Sequence, residues 1–147
     1  MVAWPSILAE ISVKNRTLTQ DYIERAEHRL AAVELLLSRG ACADVVREAQ
    51  GVVELSLKAL LRSANIEVPR IHDVGDILME NVSRFPKEIQ ANLERFAEIS
   101  RQLRRDRELA FYGSEDLTPS NFYKKSDAQQ AFGDARFVHA GVKPFVK

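Results

Sequence analysis

The chain has 147 residues, 46% of them apolar, with 21 Lys+Arg against 21 Asp+Glu and a formal net charge of zero. That length fits one ordinary domain with enough apolar material for a core, and a neutral chain lacks the global field that draws basic proteins onto nucleic acid, so any contact with a polyanion must come from a local cluster. A single cysteine, Cys42, excludes an internal disulfide and a cysteine-rich zinc site. It reads as a small, semi-buried residue rather than a nucleophile. The opening Met-Val-Ala-Trp-Pro has no basic region followed by a long apolar run. No window approaches the ~18 uninterrupted apolar residues of a membrane span. A cytoplasmic protein with no membrane contact is the expectation.

Residues 1–19 read as either an N-terminal arm or a short extra helix, with Pro5 opening it and Trp4 as an anchor beside Ile7, Leu8 and Ile11. The rest, 20–147, reads as one helical bundle domain. Its first helix is predicted over about 20–38, capped by Thr17 or Thr19 with Thr17-x-x-Gln20 as a capping box. Tyr22, Ala26, Leu30, Val33 and Leu37 form its apolar stripe, and Gly40 closes it in the left-handed position.

A second helix is predicted over about 42–64. Val45, Val46, Ala49, Val52, Val53, Leu57, Leu60 and Leu61 cover more than one face, which places it at the centre of the bundle. Gly51 in its middle costs about 1 kcal/mol against alanine and points to a close helix–helix approach, either inside the fold or across a dimer. Glu54 and Lys58 are i,i+4 partners in this otherwise apolar rod, either at its rim or facing a cleft.

Pro69 breaks the next connection. Asp73 then suits the N-cap of a short helix that buries Val74, Ile77, Leu78 and Val82, with Asp76 near the positive end of its dipole. His72, Asp73, Asp76 and Glu80 contain only one histidine, and capping explains the aspartates, so no metal and no cofactor are expected here.

Pro86 suits the first turn of a fourth helix over about 87–112, with Ile89, Leu93, Phe96, Ala97, Ile99 and Leu103 inward and Gly113 as its stop. Residues 114–125 read as a polar loop. Ser126-x-x-Gln129 reads as a capping box opening a fifth helix, with Ala128, Ala131, Phe132, Ala135, Val138 and Val142 inward, His139 in a surface or core role, and Pro144 at its end. Strand-like alternation is nearly absent. The fold class is therefore all-α, an up-and-down bundle of four to five helices.

The stretch richest in chemistry is the end of the fourth helix, where Arg101, Arg104, Arg105 and Arg107 fall within seven residues and Tyr112 follows. Helical spacing stacks Arg101, Arg105, Glu108 and Tyr112 along one side. Guanidinium groups fork onto phosphate, and a tyrosine offers a ring for stacking. The plainer reading is a solvated face in which Arg104 and Glu108 form an exposed i,i+4 pair worth only about 0.2–0.5 kcal/mol.

Ala49-Gln50, Glu54 and Leu57-Lys58-Ala59-Leu60-Leu61, followed by His72-Asp73 and Leu78 and later by Arg104-Arg105-Asp106-Arg107-Glu108-Leu109-Ala110-Phe111-Tyr112-Gly113, resemble the HEPN domain. The resemblance spans about residues 20–143. It implies a helical bundle of four or five helices, a homodimer, and a genomic partner that is a minimal nucleotidyltransferase. Members of that family bind nucleotides or act as metal-independent ribonucleases.

The ribonuclease members carry an arginine and then a histidine with four to six residues between them, and this chain departs from that pattern. With four residues intervening, Arg105 is followed by Ala110, and the same spacing from Arg107 reaches Tyr112. Histidine titrates near neutral pH and can move a proton from a ribose hydroxyl. Alanine cannot, and tyrosine with a pKa near 10 is a poor substitute. No catalytic residue is therefore assigned. In one subgroup the tyrosine two positions after that histidine accepts a nucleotide from the partner enzyme, which by resemblance maps to Tyr112.

Three functions compete on this basis. The first is a non-catalytic module binding nucleotide or RNA phosphates through Arg101, Arg104, Arg105, Arg107 and Lys58, with Tyr112 stacking on a base. The second is a ribonuclease toxin of a toxin–antitoxin pair. The third is a structural partner that docks a nucleotidyltransferase.

Overall fold

The computed structural model describes residues 7–68, 70 and 73–146, with residues 7–17 described by their backbone alone. Trp4, Pro5, Pro69 and His72 lie outside the described residues. Six helices follow in order among the described residues: α1 (Ile7–Ser38), α2 (Cys42–Ser63), α3 (Val74–Glu80), α4 (Lys87–Tyr112), α5 (Pro119–Phe122) and α6 (Lys125–Val142). Short 3-10 turns at Val82–Arg84 and Lys143–Phe145 end α3's connection and α6.

The helix α2 is the central rod. It packs against α1, α4 and α6, and its Val45, Val52, Leu57 and Leu61 are wholly buried. This follows from the wide apolar arc read from its sequence, because a helix apolar on more than one face needs neighbours on more than one side. Cys42 is half-buried at its first turn. Above Gly51 lies a side chain rather than a helix backbone. A Cβ placed there would meet Arg29 Nη1 of α1 at 3.0 Å.

Several boundaries differ from the sequence expectation. The first helix does not begin at about residue 20; its backbone is continuous from Ile7, so Thr17 and Thr19 sit inside a rod rather than capping one. A polar side chain lowers helix propensity but does not break a helix, and no glycine or proline falls between residues 6 and 39. Pro86 occupies the N-cap of α4 rather than its first turn. The loop at 114–125 contains the single turn α5. The start of α6 is held not by Ser126 and Gln129 but by Asp127, whose Oδ2 accepts the Lys124 backbone N–H at 2.9 Å. Asp73 does cap α3, accepting from the Gly75 N–H at 2.8 Å.

His139 is a core residue. It is buried between α6 and α1, one ring N–H donates to the Ile23 carbonyl, and Nε2 is buried with no hydrogen-bond partner. Burial pushes its pKa below the ordinary 6.5, against the opposing pull of Glu27, while Lys143 adds to the lowering. A second proton would leave an N–H in apolar surroundings. Because the native pKa is depressed, the unfolded chain binds more protons below pH ~6.5, so the stability contributed by neutral His139 is present above that pH and is lost as pH falls through the native pKa. Urea midpoints taken between pH 7 and about 5 should fall with pH in the wild type. They should fall less steeply in His139→Leu, and identical slopes would overturn this account.

Candidate functional site

A cleft of about 370 Å³ opens where α1, α2, α4 and the α2–α3 connection meet. Glu54, Lys58 and Arg62 project from one side of α2, being spaced by a turn each. Arg104 faces them from α4, Tyr22 from α1, and Glu67, Val68, Arg70 and Val74 from the connection and the start of α3. The volume lies at the low end of small-ligand sites. Four cationic side chains from three segments thus converge on one concavity.

Charges within it are partly matched. Lys58 Nζ lies 3.2 Å from Glu54 Oε1, and Gln50 Nε2 donates to Glu54 Oε2 at 3.2 Å. Burial pushes the Glu54 carboxyl up. The Lys58 ammonium, the Gln50 hydrogen bond and the Arg107 charge outweigh it and leave the pKa lowered, so Glu54 is an anion near neutral pH. Arg104 Nη1 reaches Asp73 Oδ1 at 4.0 Å. That carboxylate is already the α3 cap, so Arg104 ties α4 to the start of α3 instead of forming the expected pair with Glu108.

A second hollow of about 350 Å³ lies at the distal end of the same two helices, lined by Arg47, Arg107, Glu108, Phe111 and Tyr112. The Arg47 guanidinium sits 4.2 Å above the centre of the Phe111 ring. The rings of Phe111 and Tyr112 meet edge to face at 4.4 Å, and Arg47 is paired with Glu48.

The six cationic and aromatic residues singled out from sequence are therefore divided among three places. Lys58 and Arg104 share the cleft. Arg107 and Tyr112 share the hollow. Arg101 and Arg105 lie exposed on the outer side of α4, where Arg105 donates to Gln102, Gln102 donates to Asp106 Oδ2 at 3.0 Å, and Asp106 accepts from the Tyr123 hydroxyl at 3.3–3.4 Å. Burial and the Asp106 carboxylate push the Tyr123 phenol up to about 12, which keeps it a donor. The stripe of Arg101, Arg105, Glu108 and Tyr112 is divided: Glu108 and Tyr112 at its distal end border the hollow, while Arg101 and Arg105 border neither concavity, and the cleft takes Arg104 from the neighbouring flank.

Arg47, Arg62, Arg70 and Phe111 were not expected at the site, and Tyr22, expected in the apolar stripe of α1, stands at the cleft. Their signal was present in part: Arg47, Glu54, Lys58 and Arg62 make a polar stripe on α2 at i, i+7, i+11 and i+15, a narrow break in an otherwise apolar helix. Among the described residues no three potential ligands gather as a metal site, and no helix is long and apolar enough to cross a membrane.

These features define an all-helical bundle with a charged cleft between its central and penultimate long helices. The family model of the HEPN domain matches residues 19–143, and the chain belongs to that family. Two solved structures share its fold. The protein TT1696 from Thermus thermophilus is 23% identical, with a TM-score of 0.67 over 86% of this chain and 97% of that one. ST0689, an archaeal HEPN homologue, is 22% identical, with a TM-score of 0.65 over 88% of this chain and 98% of that one. No curated protein matches the chain.

Proposed function

We propose that this protein is a binding module for the phosphates of nucleotides or RNA, acting without catalysis through the α2–α4 cleft. The observation that carries the reading is the convergence of Lys58, Arg62, Arg70 and Arg104 on one concavity with Tyr22 at its wall. In a chain with no net charge such a cluster is a local anion trap, and arginines in particular suit the forked geometry of phosphate. Glu54 has a place in it: it holds the Lys58 ammonium at 3.2 Å, and a bound phosphate would compete for that ammonium.

The non-catalytic part rests on what stands where the family's ribonucleases carry histidine. Ala110, separated from Arg105 by four residues, is buried in the bundle, and Tyr112, at the same spacing from Arg107, is 75% exposed in the hollow. Neither position supplies the imidazole that the family's ribonucleases use to move the proton.

The test is a calorimetric titration with ATP at two salt concentrations, on the wild type and on Lys58→Ala and Arg104→Ala. Binding should weaken at the higher salt, and each variant should lose about ten- to a hundredfold in affinity, as expected for a charge-assisted hydrogen bond of about 1.5–3 kcal/mol. Absence of ATP binding by the folded wild type, or unchanged affinity in both variants, would sink the reading.

A further inference from the structure

The cleft and the hollow lie along the same pair of helices, and Arg107 joins them. Its side chain lines the hollow, while its charge is felt by Glu54 in the cleft. On α2 the polar stripe has Arg47 at the hollow and Glu54, Lys58 and Arg62 at the cleft, with two turns carrying Gln50 and Gly51 between them. At 1.5 Å per residue the fifteen steps from Arg47 to Arg62 span about 22 Å. A mononucleotide held by Lys58 and Arg104 would leave the distal half of that length untouched.

The distal half has the chemistry of a stacking platform. Phe111 and Tyr112 are 49% and 75% exposed. Two adjacent aromatic rings left this far in water at the last turn of a helix bury little apolar area for the fold. The Arg47 guanidinium over Phe111 fixes the ring's orientation and adds a cation beside it. Aromatic faces flanked by arginines are how single-stranded nucleic acid is held without regard to sequence, the rings taking bases and the cations taking the backbone between them.

Resting on the phosphate-binding reading above, we propose that the two concavities form one track for a single-stranded oligonucleotide of about four nucleotides, the low end of single-strand site sizes. Lys58, Arg104 and Arg107 contact successive phosphates, and a base at the distal end stacks on the Phe111–Tyr112 platform beside Arg47. The hollow is thus a second subsite, one that reads strand length rather than base identity. Glu108 at its rim and Glu48 beside Arg47 moderate the charge there, so stacking supplies more of the distal contact than ion pairing does.

Affinities for AMP and for a tetra-adenylate RNA, measured by calorimetry on the wild type and on Phe111→Ala, Arg47→Ala and Arg104→Ala, test this. The tetranucleotide should bind at least about tenfold more tightly than AMP, beyond the about fourfold gain that four equivalent nucleotides give statistically. Phe111→Ala and Arg47→Ala should erase that advantage and leave AMP affinity within about twofold of wild type, whereas Arg104→Ala should weaken both ligands. Phe111 is half exposed, so its truncation spares the core, and circular dichroism checks each variant's fold. Equal affinity for the two ligands, or a Phe111→Ala loss as large for AMP as for the tetranucleotide, would overturn the track and leave the cleft intact. If neither ligand binds, the phosphate-binding reading falls and the track with it.

Discussion

Replacing Gly113 with alanine should lower stability by about 3 kcal/mol and release the segment after α4 from the bundle. Gly113 ends α4 at φ 73°, ψ −158°, a backbone region open essentially to glycine alone. Holding another residue there costs about 1–3 kcal/mol before any contact is considered. Contact adds to it, because a Cβ would stand 2.5 Å from the Leu117 carbonyl oxygen and 2.7 Å from Pro119 Cδ. Neither is the loose end of a flexible side chain.

The Leu117 carbonyl also accepts the Ser114 N–H at 3.1 Å, and the Leu117 N–H returns a bond to Ser114 at 3.1 Å, so moving it breaks a reciprocal pair. What this turn delivers is Tyr123, buried and bonded to Asp106 on α4. Urea denaturation should show the loss, and limited proteolysis should show new cutting within 114–122. A variant within about 0.5 kcal/mol of wild type and equally resistant would show that the backbone there relaxes at no cost.

The same glycine shows why α4 was legible from sequence. Pro86 and Gly113 bracket a stripe of apolar residues at helical spacing, and each signal has a mechanism that tertiary contacts do not override. The start of α1 was not legible for the opposite reason. Thr17 and Thr19 are good caps, but a cap acts only where a helix must begin, and nothing upstream forces a beginning there.

For the site, the arginine cluster was visible but its useful flank was not. The four arginines fan over an arc of about 160° of the helix, and which of them border a concavity depends on the neighbouring helix. Here α2 and the connection around Arg70 stand beside Arg104 and Arg107, while Arg101 and Arg105 look outward. Arg70 could not have been placed by periodicity at all, since it lies in a connection between helices, where no repeat sets the direction of a side chain.

Truncating Phe96 to alanine should cost about 3–5 kcal/mol, a large part of the ~5–15 kcal/mol that holds a domain of this kind together. Phe96 is wholly buried on α4 and meets the edge of Phe137 at 5.6 Å, 64° between planes. Its ring also explains Gly141 in the last turns of α6. A Cβ at 141 would lie 2.8 Å from Phe96 Cζ and 3.4 Å from Cε1. The ring is held on every side by the core and cannot swing clear, so Gly141→Ala should cost about 1–3 kcal/mol from overpacking, despite the ~1 kcal/mol gained from helix propensity.

The two losses have opposite signs of volume at one place. With the ring gone, the methyl group that Gly141→Ala introduces enters space it otherwise contests, and its penalty turns into the propensity gain. Urea midpoints of the four proteins in the cycle should therefore show Phe96→Ala/Gly141→Ala more stable than the sum of the single changes by at least about 1 kcal/mol. Strict additivity would mean that α6 already stands clear of the ring in solution, and that Gly141 is there for another reason.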